Sequence, residues 1–420
     1  MEPVFNFIEM FQSSLKLEDP WKIERAEYQE RDQSVHLYVQ ARANAKYPCP
    51  ICGHLCTRYD DEEEERIWRH NDVVLYPCYV HCRRPRVQCP EHGIHVVQAP
   101  WARDRYSRYT LAFEGWAIFL LQHMSIKECS RALRLGRQAL TRIASYWVNR
   151  ALAEEDLSAI THLSLDETSF KRGHRYVTVI GAPKERRVIG VEEGRGIDAV
   201  EAFSLDFEAR GGDCEAVQEV SMDMSAAYRA GSALCFPRAT VVYEHFHVKK
   251  LVLDAMDEVR KEEQGRRFSR SRQAGRKLLM LPESRLSEAQ TQRLQSLQRS
   301  YPKTGRAWRM VQVLDDFYRC MNLDEATEIF RRLTSWMMHS RLEPMKAAAR
   351  SLRAKKKEIL AYFANRISNA FAEGMNSIIQ TAKRKARGFR TFEGFRTAIF
   401  LAAGRLSFAC PVPFLHYYAD

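Results

Sequence analysis

Thr161-His162-Leu163-Ser164-Leu165-Asp166 is a short apolar strand closed by an acid, and Val217-Gln218-Glu219-Val220-Ser221-Met222-Asp223 repeats the form further along. Between them stand two more runs with strand character, Tyr176 to Ile180 and Val188 to Val191, and then a helical stretch from Asp198 to Glu208. After Asp223 a helix starting at Met224-Ser225-Ala226-Ala227-Tyr228 leads to a fifth run, Thr240 to Tyr243. Three strands in a meander, followed by alternating helix and strand, predict an α/β domain with one mixed sheet flanked by helices.

Working outward from that core, the order of elements is the ribonuclease-H-like one, and the expected fold is a ribonuclease-H-like catalytic domain interrupted by an all-helical insertion. From about His247 to Phe363 the pattern is almost wholly helical and rich in Arg, Lys and Gln; the sheet-associated fold then resumes with a last helix from Ser368 to about Lys385. Upstream, Lys22 to Gln98 reads as short strands and turns, with alternation in Val35 to Val39 and again at Arg86-Val87-Gln88. Ser125 to Leu133, a turn through Gly136 and a second helix over Leu140 to Val148 read as a helix-turn-helix. The expected divisions are a zinc-binding β-rich module over 1–103, the helix-turn-helix domain over 104–156, and the first part of the catalytic domain over 157–250. A helical insertion over 251–364 and a last catalytic helix with a basic C-terminal segment over 365–420 complete them.

With 420 residues, of which 45% are hydrophobic, the chain can fill two or three compact cores, and its formal charge of +12 favours a polyanionic partner. The first twenty residues carry Glu2, Glu9, Lys16, Glu18 and Asp19, which is unlike a signal peptide, and no stretch is apolar enough to span a membrane. Six of the eleven cysteines crowd between Cys49 and Cys89, pointing to metal binding in a reducing cytoplasm rather than to secreted disulfides, whereas Cys129, Cys214, Cys235, Cys320 and Cys410 read as small core residues. Cys49-Pro50-Ile51-Cys52-Gly53 has the spacing of a zinc knuckle, and Cys89-Pro90-Glu91-His92-Gly93 repeats it with a histidine. Cys49, Cys52, Cys89 and His92 are therefore the expected ligands of one structural Zn²⁺, although His54, Cys56, Cys78, Cys82 and His95 offer alternatives.

Asp166 and Asp223 are each expected at the end of a strand, where an open α/β sheet places its chemistry, and if those two strands are neighbours their carboxylates converge. Glu373 lies on the helix Asn369-Ala370-Phe371-Ala372-Glu373-Gly374-Met375-Asn376-Ser377, whose face would pack back onto the sheet. Three hard oxygen donors suit two Mg²⁺ or Mn²⁺ ions, which would activate a water or a DNA 3′-hydroxyl and stabilise the leaving oxygen of an in-line displacement.

The chain resembles the ISL-three family of insertion-sequence transposases nearly end to end. The likeness runs through Cys89-Pro90-Glu91-His92-Gly93, Pro100-Trp101-Ala102, the helix-turn-helix, Leu165-Asp166-Glu167, Met222-Asp223, and Ser368-Asn369-Ala370 to Glu373-Gly374-Met375-Asn376. The resemblance implies Asp166, Asp223 and Glu373 as a catalytic triad of the DDE type, with the helical insertion between the second and third acids. It also implies recognition of the element's terminal inverted repeats by the N-terminal modules. An acid-x-x-His motif is matched by Glu244-His245-Phe246-His247, with Glu244 where the usual residue is Asp, and gives His247 a supporting role.

Candidate DNA contacts are Arg131, Arg134, Arg137 and Arg142 in the helix-turn-helix and Lys383, Arg384, Lys385, Arg387 and Arg390 after the catalytic helix. Trp308 and Trp336, amid many cations, read either as core or as base-stacking residues. The expected protein is a cytoplasmic, nucleoid-associated enzyme without membrane contact. It would bind double-stranded DNA, both the element's inverted repeats and the target, cleave the ends by metal-assisted hydrolysis and join them to the target by transesterification. Synapsis of two ends implies at least a dimer in the active complex. A non-catalytic DNA-binding regulator and a ribonuclease-H-like nuclease that cuts without joining are the alternatives.

Overall fold

The computed structural model describes residues 7–171, 175–265, 270–365, 370–386 and 388–409; the expectations placed on Ser368, Asn369, Arg387 and Cys410 fall outside them. Contacts divide the chain into two compact units, Met1–Ala151 with Leu406–Asp420, and Leu152–Arg405.

The first unit opens with a helix that the sequence reading had not placed, α1 (Phe7–Ser14), followed by β1 (Trp21–Gln29), β2 (Ser34–Ala41), β3 (Lys46–Pro48), β4 (Leu55–Asp61), β5 (Arg66–Val73), β6 (Tyr76–Cys82), β7 (Pro85–Cys89) and β8 (Gly93–Val96). They form two four-stranded sheets, ordered β1-β2-β6-β5 and β3-β4-β7-β8. Buried indoles join the core: Trp21 and Trp68 each meet Trp101 edge-on, at centroid separations of 5.3 and 5.4 Å. Three helices follow, α2 (Leu111–His123), α3 (Ile126–Ala132) and α4 (Arg137–Ala153). Thr110 caps α2, and a reciprocal Ser125–Glu128 capping box starts α3. Glu114 of α2 is fully buried, yet its carboxylate accepts from the Trp147 indole N–H of α4 (2.9 Å), the Ser107 hydroxyl (3.2 Å) and Arg103 (3.3 Å). That network locks α2 to α4 and satisfies a charge that would be costly alone.

In the second unit β9 (His162–Lys171), β10 (Arg175–Ala182) and β11 (Arg187–Glu193) form an antiparallel meander. Then come α5 (Ile197–Ala209), β12 (Glu219–Met222), α6 (Ala226–Cys235) and β13 (Thr240–Tyr243). The sheet order is β11-β10-β9-β12-β13, with β9, β12 and β13 parallel to one another. Helices fill the rest: α7 (His245–Gln264), α8 (Arg270–Leu279), α9 (Glu288–Ser300), α10 (Pro302–Arg319), α11 (Leu323–Met338), α12 (Glu343–Ala354), α13 (Lys356–Leu360), α14 (Tyr362–Asn365), α15 (Ala370–Ala386) and α16 (Phe392–Ala403). The alternation of β9 sorts its faces: Leu163 and Leu165 enter the apolar core shared with Val200, Phe203 and Phe207 of α5, while Ser164, Asp166 and Thr168 lie on the other face. On that second face Gly181 of β10 lets α15 approach, since a Cβ there would come within 2.6 Å of the Phe371 ring.

Two expectations need correction. Asp166 is inside a strand rather than at its end, because β9 runs on to Lys171 by pairing with β10 after β12 has stopped. The helix ending near Lys385 is not the last: α16 follows, capped by Thr391, buries Phe395, Ile399 and Phe400 and packs on β11.

Candidate active site and metal cluster

Sheet register brings the two aspartates together. Met222 pairs with Leu165 in the parallel β9–β12 ladder, so Asp223 and Asp166 occupy equivalent next positions on adjacent strands, about 5 Å apart at the backbone. Both follow residues committed to the α5 core, and period-two alternation turns them to the opposite face. The Asp223 carboxylate accepts from the Ser225 backbone N–H at 2.8 Å, while Ser225 itself caps α6. Asp223 is thereby fixed at the mouth of a helix without being its cap.

Asp166 is half-buried, and its Oδ1 accepts from the Glu167 N–H at 2.8 Å while its Oδ2 accepts from the side-chain amide of Asn376. Burial pushes the Asp166 carboxyl above the ordinary carboxylate range, and the Asp223 charge pushes the same way against these hydrogen bonds and His247. A divalent cation held by Asp166 would favour its charged form instead.

α15 is laid along β9 by a row of polar contacts. Asn376 reaches Asp166, Gln380 donates to the Thr168 hydroxyl at 3.3 Å, and Lys383 donates to the Ser169 carbonyl. These positions recur at helical spacing on one stripe, and residue 373 stands one turn earlier on it. Glu373 is therefore on the helix that docks at Asp166, while its side chain lies outside the described residues. The amide of Asn376 is the site residue that sequence reasoning missed; its position one turn after Glu373 was the available signal.

His247, in the first turn of α7, has its Nε2 3.6 Å from a carboxylate oxygen of Glu244, the buried residue that precedes the helix. His245 turns away: its ring lies against Tyr318, centroids 3.8 Å apart, and burial holds its pKa down near 4.

In the first unit, the turn between β3 and β4 and the turn between β7 and β8 bring together Cys49, Cys52, Cys89 and His92, whose ligand atoms all lie within 4.8 Å of one another. Gly53 and Gly93 make these turns, at φ of +74° and +78°, where a side chain would be strained. The Cys89 sulfur is 3.7 Å from that of Cys52 and 3.5 Å from His92 Nδ1, and the imidazole contact lowers its pKa to about 6. Three sulfurs and one imidazole converging on one point are the donor set and number of a closed tetrahedral Zn²⁺ site. Of the alternatives, Cys56 lies beside Cys89 and Cys49, without belonging to the set of four whose ligand atoms all converge. Cys56 donates to the His54 carbonyl, His95 bonds the His92 carbonyl, and Cys78 and Cys82 of β6 are pushed up to about 12 by burial.

Of the candidate DNA contacts, Arg131, Arg137 and Arg142 are exposed on α3 and α4. Arg134, in the turn between them at φ +52°, is instead held by Asp72 and the Leu75 carbonyl of the β5–β6 hairpin. Lys383 is spent on Ser169, and its desolvation lowers its pKa. Arg384, Lys385 and Arg390 are exposed. Trp308 is core, Cys129 and Cys320 are buried, Cys214 and Cys235 are half-buried, and Trp336 stays partly exposed.

Comparison with known proteins bears on the same regions. A family model described as a transposase, the DDE transposase of ISL3, matches residues 163–399. Another, described as the helix-turn-helix domain of transposase family ISL3, matches residues 97–148. The chain is 25% identical over 384 residues to the transposase for insertion sequence element IS1001 of Bordetella parapertussis, covering 89% of this chain and 93% of that protein. It is 24% identical over 416 residues to the transposase for insertion sequence element IS1557 of Mycobacterium tuberculosis (strain H37Rv), covering 91% and 93%.

Proposed function

The chain belongs to the ISL3 family of transposases, and from that premise we propose that it is a DDE enzyme which binds the terminal inverted repeats of an insertion sequence, cuts its ends and joins them to target DNA. The observation that carries this reading is the register of β9 against β12, which sets Asp166 and Asp223 side by side on one face of the sheet. Asp166, Asp223 and Glu373 would hold two Mg²⁺ or Mn²⁺ ions, and the hard oxygen donors fit them. When bound, such ions supply Lewis-acid activation of the attacking oxygen and stabilise the leaving oxygen.

The chain's own residues supply position and protons. Asn376 and the Glu167 N–H each take one oxygen of Asp166, fixing the carboxylate plane. The Ser225 N–H does the same for one oxygen of Asp223. His247, beside Glu244 and near Asp166, would support the site. Support for a ribonuclease-H-like domain comes from the strand order β11-β10-β9-β12-β13, with α7 to α14 inserted before the helix of Glu373. Cys49, Cys52, Cys89 and His92 would hold one structural Zn²⁺. Arg131, Arg137 and Arg142 would contact the inverted repeats. Two ends in one complex require at least two copies of the chain. No described helix is long and apolar enough to cross a membrane, and the reading places the enzyme on cytoplasmic, nucleoid DNA.

The test is Mg²⁺- or Mn²⁺-dependent cleavage and joining of a duplex carrying the flanking element's end, by the parent and by Asp166→Asn, Asp223→Asn and Glu373→Gln. Loss of both steps on the order of a thousandfold or more, with DNA binding retained, is expected for each variant. Parental activity in the variants sinks the triad; a parent that only binds under every metal condition is a regulator, and one that cuts without joining is a nuclease.

A further inference from the structure

From Arg341 to Lys357 the chain carries seven cations and one carboxylate, Glu343. α12 sorts them by face. Met345, Ala348, Ala349 and Leu352 are buried, and the helix packs on α7 and α11. Lys346, Arg350, Arg353 and Lys357 recur at intervals of four, three and four residues, the period of one helical face. Lys355 ends α12 and starts α13, so the row continues across the junction. Arg350, Arg353, Lys356 and Lys357 are exposed, and among the described residues none is within ion-pair distance of a carboxylate; Lys346 alone pairs, with Glu343 at 2.8 Å. A helix face that serves only solubility interleaves acids, as α11 does where Glu328 grips Arg331 at 2.7 Å. Like charges repeated at this spacing repel one another until an anion neutralises them.

The row ends at a defined place. Glu358, the residue after Lys357, is buried and pairs at 2.8 Å with Arg229 of α6, the helix that begins just after Asp223, and α13 packs on β13, the strand beside β12. The cationic face is thereby tied to α6, which follows Asp223, and to β13, the neighbour of the strand that precedes it.

We propose that this face of α12 and α13 binds the phosphodiester backbone of a DNA duplex and leads it toward the two aspartates, an inference that rests on the DNA-processing reading above. The eleven steps from Lys346 on α12 to Lys357 on α13 span about 16 Å at helical rise, enough to meet several phosphates of a duplex that carries one charge per about 1.7 Å of axis.

The measurement is fluorescence anisotropy of the full chain on a duplex of about 30 base pairs and arbitrary sequence, in EDTA, between about 50 and 200 mM salt. The triple variant R350Q/R353Q/K357Q is compared with R293Q/R299Q/R319Q, which removes the same charge from exposed positions on α9 and α10. At about 0.9 per phosphate contact, the first triple lowers the slope of log K against log salt by about 2 to 3 and weakens binding at least about tenfold, while the second leaves the slope within about 0.5 of the parent. A parental slope in the first triple overturns the proposal, as does an equal drop in both, which would reduce the effect to net charge; retained binding with loss of an acidic protein partner would assign the face to that partner instead. If the triple fails to fold, R350Q and K357Q singly are each expected to lower the slope by about 0.9. No cleavage occurs in EDTA, so the carboxylate assignment can fail without moving this result.

Discussion

The Cys–His cluster and the carboxylate pair are both proposed to hold cations, yet they are built in opposite ways. The cluster draws its four ligands from two tight turns of one small sheet, each pair three residues apart, and their donor atoms have already converged. The carboxylates come from two strands and a helix separated by long stretches of chain, and Asp166 and Asp223 are held by backbone and amide donors at the edges of their oxygens. One site is closed by local geometry, and the proposed reading gives it the task of holding the fold. The other is assembled by tertiary packing, and the same reading has it bind ions that also meet a substrate. Structural and catalytic metal sites should therefore respond oppositely to the loss of a ligand.

The largest effect is expected at the cluster. The sheet β3-β4-β7-β8 is short-stranded, and the proposed ion would contribute binding free energy on the order of 10 kcal/mol to its folding. Cys89→Ser, or prolonged chelation of the parent, is expected to take bound zinc from one to none per chain by mass spectrometry and to open residues 46–96 to limited proteolysis. A variant that lost zinc and kept parental protease resistance would erase the contrast.

Substitution at the carboxylates should do the reverse. Burial, and then Asp223, hold the folded pKa of Asp166 above its unfolded value, so its contribution to stability is fully present below the unfolded pKa and is lost as pH rises through the folded one. In EDTA, Asp166→Asn is expected to melt as high as the parent or a few degrees higher at pH 7 to 8, roughly, with the gap closing toward pH 4. Added Mn²⁺ should stabilise the parent, by about 2.7 kcal/mol at a hundredfold excess over Kd, and the variant far less. Melting curves across pH, with and without the ion, check both halves. A large drop in EDTA would make Asp166 a structural residue.

How much of this could be read in advance follows from the same contrast. The knuckles were legible because their chemistry is local: two-residue spacing with a trailing glycine declares the turn, and both glycines do take positive φ. The strand runs before the aspartates were legible from their apolar alternation, and a meander followed by alternating helix and strand is what the fold contains. The extent of β9 was not, because Glu167, Thr168 and Ser169 look like a polar loop until β10 supplies their partners. α16 was absorbed into a basic tail since its buried Phe395, Ile399 and Phe400 sit just beyond Gly388, where the chain turns at positive φ. Cations are the least legible, since the sequence does not show which of them have partners: only the fold gives Arg134 the carboxylate of Asp72 and Lys383 the Ser169 carbonyl.

The smallest and most discriminating effect concerns Asn376, which no charge pattern announces. Its amide orients Asp166 without neutralising it, so the negative charge a divalent ion needs is kept, whereas an arginine or lysine there would compete with the ion. Asn376→Ala should lower both the rate of end cleavage and Mn²⁺ affinity by about 10- to 100-fold, while the melting temperature in EDTA stays within about 2 °C. Asn376→Asp makes the sharper test. A third negative group beside Asp166 raises its pKa further, so the alkaline pH needed to ionise the site, and with it the acid limb of the pH–rate profile, should move to higher pH. A purely structural Asn376 would lower stability and leave that limb in place; a displaced limb with an unmoved melting temperature identifies the amide as the group that sets the geometry and charge of the first aspartate.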